Sequence, residues 1–243
     1  MTTLDYDDLA TEYARHRRPY PGLVEHITER AGLTTGSVVL EVGCGTANHL
    51  AAVRRGTGAR CLGVEPSAQM LRQAAEHPEE LELRQGRAEE LDLPAGSVDL
   101  VMSVDMIHYV REPRRYFERA YAALKPGGHL VTVTDSDWII RNRMPMAHYF
   151  PATVEVEFAR YHPVPMLAGA MALTGFQELY ERVVESEYAL HAATRFRDRS
   201  YSCLHLISAA DFAAGLAALE RDLAHGPLRA TLRSVALWGR RPA

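Results

Sequence analysis

Val38-Val39-Leu40-Glu41-Val42-Gly43-Cys44-Gly45-Thr46-Ala47-Asn48 is the stretch on which the reading of this chain turns. An apolar, β-branched run contains one acid, two glycines follow at alternate positions, and a helix-compatible segment begins at once. This is the pattern of a buried parallel strand whose carboxyl end turns sharply into a helix. Gly43 and Gly45 allow a tight turn and let the backbone approach a bound group with no Cβ in the way. The group such a turn serves is nucleotide-like. The plainer reading is a strand followed by an ordinary glycine turn, and the rest of the chain decides between the two.

Working outward, the periodicity predicts helices over 7–16 and 22–31 before the strand at 37–42, with Arg17-Arg18-Pro19-Tyr20-Pro21 as the break between them. After the glycines come a helix over 47–54, a strand at 61–64, a helix over 68–76 capped by Ser67, and a strand at 81–83. Residues 86–96 read as loop, 97–103 as the fourth strand, 113–124 as a helix opened by Pro113, and 130–134 as the fifth strand. Strands and helices alternate five times, which predicts an α/β, Rossmann-like, doubly wound sheet. Beyond it the pattern loosens. A helix fits 166–173, an alternating antiparallel strand 177–190, a helix 209–224 behind Ser208, and a final antiparallel strand 228–239. The expectation is one domain over 1–243, its sheet mostly parallel with an antiparallel final strand. A helical cap, in segments at about 1–22, 138–175 and 191–227, would cover the carboxyl edge of the strands.

Composition bounds the partners. The 243 residues are 47% hydrophobic and 24% charged, with a formal net charge of −4, so there is no electrostatic footprint for nucleic acid or an anionic membrane. No run reaches the ~20 apolar residues of a membrane span, and the acidic start Met1 to Asp8 does not read as a signal peptide. Three cysteines (Cys44, Cys61 and Cys203) lack metal-ligand spacing and read as reduced thiols. The expectation is a cytoplasmic monomer or homodimer with a small-molecule partner, no nucleic acid, no membrane and no metal.

Ligands of such sheets bind outside the carboxyl ends of the strands. The residues there are Glu41 to Thr46, Glu65, Arg87 to Glu89, Ser103 to His108, and Asp135 to Trp138. Glu65, closing the second strand, can accept hydrogen bonds from both hydroxyls of a ribose, a requirement shared by NAD-binding and S-adenosylmethionine-binding folds.

Five phrases together resemble the class I S-adenosylmethionine-dependent methyltransferases, in particular the small-molecule type related to ubiquinone and menaquinone C-methyltransferases and trans-aconitate methyltransferase. They are Leu40-Glu41-Val42-Gly43-Cys44-Gly45-Thr46, Gly63-Val64-Glu65-Pro66-Ser67, Gly86-Arg87-Ala88-Glu89-Glu90-Leu91, Val98-Asp99-Leu100-Val101 and Leu124-Lys125-Pro126-Gly127-Gly128. The resemblance runs from about residue 6 to 135. It implies S-adenosyl-L-methionine as cofactor. Gly43 and Gly45 would pass under its methionine part, Glu41 order its amino end, Glu65 hold the ribose, and Met70 pack on the adenine. Ala88 would offer its backbone N–H to the adenine, and the Ser103 carbonyl would face the ammonium. Tyr13, with Arg17 or Arg18, would cover the sulfonium and pair with the carboxylate. Two positions depart from the family: Ala47 replaces a common third glycine, and Arg87 an Asp that accepts from the adenine amino group. Arg has only donors, so that contact falls to Glu89, a carbonyl or water.

Methyl transfer needs a nucleophile held in line with the S–CH3 bond, exclusion of water, and often removal of a proton. His108, at the edge of the fourth strand, is the candidate general base, against the plainer reading of a histidine that shapes the pocket. Asp135 and Asp137 are secondary candidates. Tyr109, Trp138, His148 and Tyr149 are candidate substrate contacts, and with Met144, Met146, Phe150 and Phe158 they predict an apolar lining for a hydrophobic or aromatic metabolite. The competing readings are a non-catalytic S-adenosylmethionine-binding module and an NAD-linked oxidoreductase. The dinucleotide pattern G-x-G-x-x-G counts against the latter, since it needs glycine where Asn48 stands.

Overall fold

The computed structural model describes residue 16 and residues 18–243. The expected helix over 7–16 lies outside the described residues apart from His16, as do Tyr13 and Arg17. The elements that follow are α1 (Leu23–Arg30), β1 (Val38–Val42), α2 (Asn48–Thr57), β2 (Arg60–Glu65), α3 (Ala68–Ala74), β3 (Glu82–Gln85), β4 (Val98–Val104), α4 (Pro113–Ala123) and β5 (Leu124–Thr134). The sheet is seven-stranded in the order β3-β2-β1-β4-β5-β7-β6, where β6 is Gln177–Leu190 and β7 Leu228–Arg240. The first five strands pair parallel, and β7 runs antiparallel to both β5 and β6. This is the doubly wound sheet with an antiparallel final strand that the pattern predicts.

Side chains alternate across a strand, and β1 shows what that does. Leu40 and Val42 join one core with Leu62, Val101, Leu130 and Leu237, closed by Tyr116 and Phe117 of α4. Val39 points the other way, into a second core with Leu23, Ile27, Leu50, Leu100, Val131 and Trp238. Glu41 shares the parity of Val39, so its carboxylate is driven into the α2 side of the sheet.

One expectation is revised, and the expected helical cap resolves into separate helices. The fifth strand begins at Leu124, not Leu130. Lys125 turns inward to bond Asp99 Oδ2 at 2.8 Å, and that same oxygen accepts the Val38 N–H at 2.8 Å. A Cβ on Gly128 would lie 2.9 Å from the Lys125 carbonyl oxygen and 3.0 Å from that of Asp99. The Lys-Pro-Gly-Gly phrase therefore stays in the sheet as an irregularity between Val98 and Leu100 rather than standing off as a turn. The stretch 138–175, unassigned before residue 166, is helical throughout much of its length: α5 (Asp137–Asn142), α6 (Met146–Tyr149), α7 (Ala152–Phe158) and α8 (Val164–Thr174). α8 puts Leu167 and Met171 into the first core, against the α4 layer. α6 packs instead with α9 (Thr194–Arg197) and α10 (Ala209–Leu223) around a third, separate core of Met146, Tyr149, Phe150, Phe196, Leu204 and Leu219. α5 to α7, α9 and α10 are called the lid below.

Candidate functional site

The carboxyl end of β1 is a cradle. Gly43 (φ 67°) and Gly45 (φ 53°) both take left-handed backbone, and a Cβ built on Gly43 would sit 2.1 Å from Met106 Cγ. The Gly43 and Cys44 N–H groups donate to the Val64 carbonyl at 2.7 and 3.1 Å, tying the loop to β2. Ala47 also takes positive φ (56°) as it opens α2, a conformation that costs an L side chain about 1–2 kcal/mol. That strain marks Ala47 as the place where glycine is the natural occupant.

Two acids flank the cradle. Glu65 is buried; its Oε2 accepts the Gly45 N–H and its Oε1 the Ser67 N–H, each at 3.0 Å. Ser67 in turn caps α3 by accepting from the Met70 N–H at 3.0 Å, which leaves Met70 buried beneath the β2 end. Glu41 is 1% exposed, and its Oε2 has no hydrogen-bond partner among the described residues. Burial lifts its carboxyl to about 8, opposed by the Leu50 backbone N–H in the first turn of α2 and assisted by the Glu65 charge. A buried carboxylate oxygen with no donor among the described residues fits a ligand bearing a cationic amino group.

Past β3, Ala88 is buried in a single 3-10 turn that Arg87 enters in extended conformation. Glu89 accepts the Arg111 backbone N–H at 3.2 Å, so its carboxylate already holds the loop after β4.

The β4 end supplies the second half. The Ser103 hydroxyl donates to Thr132 Oγ1 at 2.9 Å, which ties β4 to β5 inside the core. Asp105 follows with φ 52°; its N–H donates to the Val133 carbonyl at 3.0 Å, and its carboxylate accepts the Tyr20 hydroxyl. Tyr20 also donates its backbone N–H to His49 Nε2 at 3.2 Å, so it bridges the α2 and β4 ends. His108 is buried in a 3-10 turn over Ile107–Tyr109. Its ring stacks on Tyr161, centroids 4.1 Å apart and planes 14° off parallel, and meets Tyr109 at 4.1 Å and 49°. Tyr20, Asp105 and Tyr161 carry no motif. Asp105 lay within the strand-end stretch singled out in the sequence, but nothing there distinguished it, and Tyr20 read only as part of a helix break.

The expected apolar lining is rearranged. Tyr109 does lie beside His108, its hydroxyl donating to Ser202 at 3.2 Å. Trp138 is 59% exposed under the Arg233 guanidinium, 5.3 Å from its ring centroid. Tyr149 is buried in the lid core, donating to Asp222 at 2.7 Å, and His148 is exposed at its edge. Phe150 stacks on Phe196 with planes 2° apart. Tyr149 and Phe150 are thus packed inside the lid core, while Trp138 and His148 lie at the surface. Asp137 is exposed on the first turn of α5. Asp135 is buried and paired with Arg143, whose guanidinium also reaches Glu157 at 3.5 Å; Glu157 pairs with Arg160 at 2.6 Å. Burial, against the pull of Arg143, lifts the Asp135 carboxyl to about 6.

Residues 40–132 match the family described as a methyltransferase domain. Over 149 residues the chain is 32% identical to the ubiquinone biosynthesis O-methyltransferase of Acinetobacter baylyi (strain ATCC 33305 / BD413 / ADP1), a match covering 59% of this chain and 60% of that one. The chain thus spans about 60% of the length of that curated relative. Among solved structures, a protein of Anabaena variabilis ATCC 29413, assigned as a methyltransferase from an antibiotic biosynthesis pathway, superposes with a TM-score of 0.71 at 24% identity, covering 92% of this chain and 98% of that chain. Phosphoethanolamine N-methyltransferase 2 of Haemonchus contortus, in complex with S-adenosyl-L-methionine, gives 0.64 at 19% identity, covering 98% of this chain and 57% of that one. At these identities the two structures show a shared fold.

Proposed function

We propose that this chain, whose residues 40–132 match a methyltransferase domain, is a class I S-adenosylmethionine-dependent methyltransferase and that it transfers a methyl group to a small molecule whose acceptor atom faces His108. When bound, S-adenosylmethionine supplies an electrophilic sulfonium methyl. The residues do the rest. Glu41 meets the amino end, Gly43 and Gly45 leave room for the methionine body, and Glu65 turns its carboxylate from the Gly45 and Ser67 N–H groups toward the ribose hydroxyls. Met70 and Ala88 border the adenine. Glu89 takes part only if it releases the Arg111 N–H, so the adenine amino group is better served by a carbonyl or water. His108 takes the proton of an oxygen or nitrogen nucleophile as the acceptor is held in line. The rings of His108, Tyr109 and Tyr161, rather than the lid aromatics, favour an acceptor with an apolar or aromatic part.

One observation carries this reading: the Glu41 Oε2, which has no hydrogen-bond partner among the described residues, sits in the fold beside the left-handed Gly43-Gly45 turn and the buried Glu65. The test is calorimetric binding of S-adenosylhomocysteine to wild type and to Glu65→Ala. Loss of two or three charge-assisted hydrogen bonds predicts a weakening of about 30-fold or more. An unchanged Kd in a folded Glu65→Ala protein removes Glu65 from the site. Preferential binding of NADH would instead support an oxidoreductase. Binding of S-adenosylmethionine without turnover across a broad acceptor screen would support a non-catalytic module.

A further inference from the structure

The segment after β4 and the segment after α7 are fastened to each other at two points, two residues apart on one chain and one apart on the other. The His108 ring lies flat on the Tyr161 ring, 4.1 Å and 14°. Beyond it, the His162 imidazole donates from Nε2 to the Val110 carbonyl at 2.9 Å. Tyr161 is itself fixed. Its backbone N–H donates to the Glu157 carbonyl at 2.8 Å, continuing the last turn of α7. The Glu157 side chain is 3% exposed and held by Arg160 and Arg143. The charges around the Tyr161 phenol come from every neighbouring element: Glu157 from α7, Asp135 from β5, Arg143 from the turn after α5, and Asp105 from β4. Burial and these carboxylates hold the phenol well above its usual range, so the ring under His108 stays neutral across the working range of a histidine.

We propose that Tyr161 is a positioning residue for His108: by stacking on the imidazole while His162 ties down Val110, it fixes the ring plane so that a nitrogen edge meets the acceptor. This rests on the reading of His108 as the base. A histidine in a one-turn 3-10 segment has two side-chain torsions to restrain. An offset aromatic face adds about 0.5–1.5 kcal/mol of preference for one of its orientations. The segment after α7 thereby sets the orientation of a base that the segment after β4 carries.

The test uses two substitutions at one site. Tyr161→Phe keeps the face and removes the hydroxyl; Tyr161→Met fills the volume with a flexible chain and removes the face. With an acceptor found by screening S-adenosylhomocysteine release, Tyr161→Met is expected to lower kcat by roughly 10- to 100-fold, as misplacement of a catalytic group by about 1 Å does. Its KM for S-adenosylmethionine should stay within about twofold, and Tyr161→Phe should retain at least about one third of wild-type kcat. A second readout needs no acceptor. In selectively labelled protein, the His108 Cε1–H resonance should be displaced in Tyr161→Met and unmoved in Tyr161→Phe. His162→Leu, which loosens the second tie, should displace it in the same direction by less. A His108 resonance unmoved in Tyr161→Met, or a Tyr161→Phe protein as impaired as Tyr161→Met, overturns the positioning role. The base reading fails separately, if His108→Ala retains wild-type kcat and pH profile while the resonance shifts stand.

Discussion

At the scale of single residues, Glu41 has the most to say. Its carboxyl titrates at about 8 in the fold against 4.5 ordinarily, through burial. Across that window the native state keeps a proton that the unfolded chain has lost. The group therefore favours folding fully below pH 4.5, and that contribution is lost as pH rises through about 8. Glu41→Gln should flatten the fall in Tm over this range without lowering Tm at its alkaline end. A ligand ammonium beside Glu41 favours the carboxylate, so S-adenosylhomocysteine binding at neutral pH should release a proton. Binding enthalpies that vary with buffer ionisation enthalpy in wild type, and do not in Glu41→Gln, are the expected result. Gly43 is constrained differently. Its φ of 67° and the Met106 side chain 2.1 Å from an added Cβ predict that Gly43→Ala costs about 2–4 kcal/mol in urea unfolding. Adding Met106→Ala removes the Cγ contact but leaves the residue-106 Cβ 2.8 Å away, so it should relieve only part of the clash and none of the backbone strain, and the double variant should remain less stable than Met106→Ala alone.

At the scale of elements, the lid is joined to the sheet through charge as well as apolar surface. Asp135 at the β5 end, Arg143 after α5, and Glu157 with Arg160 on and just after α7 form a line of buried, alternating charges. Removing one member leaves its neighbours buried and uncompensated. Arg143→Met should therefore destabilise the fold by about 3 kcal/mol near neutral pH, more than loss of an exposed pair such as Arg60–Glu82, which solvent screens. The loss should shrink as pH falls below about 6, where Asp135, already lifted by burial, takes up a proton. Denaturation midpoints of wild type and variant across pH would show this convergence; parallel curves would mean that Asp135 is not the group left exposed to the loss.

At the scale of the whole molecule, two cores fill the faces of the sheet and a third, smaller one joins the lid helices to Leu190 and Ala230 at the ends of β6 and β7. A separate core of that size opens at lower free energy than the sheet it covers. Native-state hydrogen exchange should find β1, β4 and β5 exchanging only with global unfolding, and α6, α9 and α10 through an earlier, shared opening. Saturating S-adenosylhomocysteine should slow exchange over 41–47 and 103–109 and raise the free energy of lid opening by linkage. Exchange at a single free energy in sheet and lid would mean that the three cores are one cooperative unit.

Much of this was written locally. The apolar strand runs, the glycines after β1, the Glu65-Pro66-Ser67 phrase and the Pro126-Gly127-Gly128 phrase depend on a few adjacent residues, so the succession of strands and helices, the glycine turn and the resemblance to methyltransferases were legible from the sequence alone, while the strand order was not. The helices of 137–174 were less so, because short helices separated by prolines show too few turns for a period to emerge. Whether Trp138, His148 and Tyr149 face a pocket or a lid core is not a local property. It depends on which of several apolar faces meet, and α6, α9 and α10 satisfied Tyr149 and Phe150 among themselves. Tyr20 reaching Asp105, and Tyr161 lying on His108, join residues 85 and 53 positions apart that share no pattern. The chain's own order determined the strand end, its glycine turn and the acids Glu41 and Glu65 beside it, because these are set by adjacent residues; only packing between distant segments decided that Tyr161 lies on His108 and Tyr20 reaches Asp105.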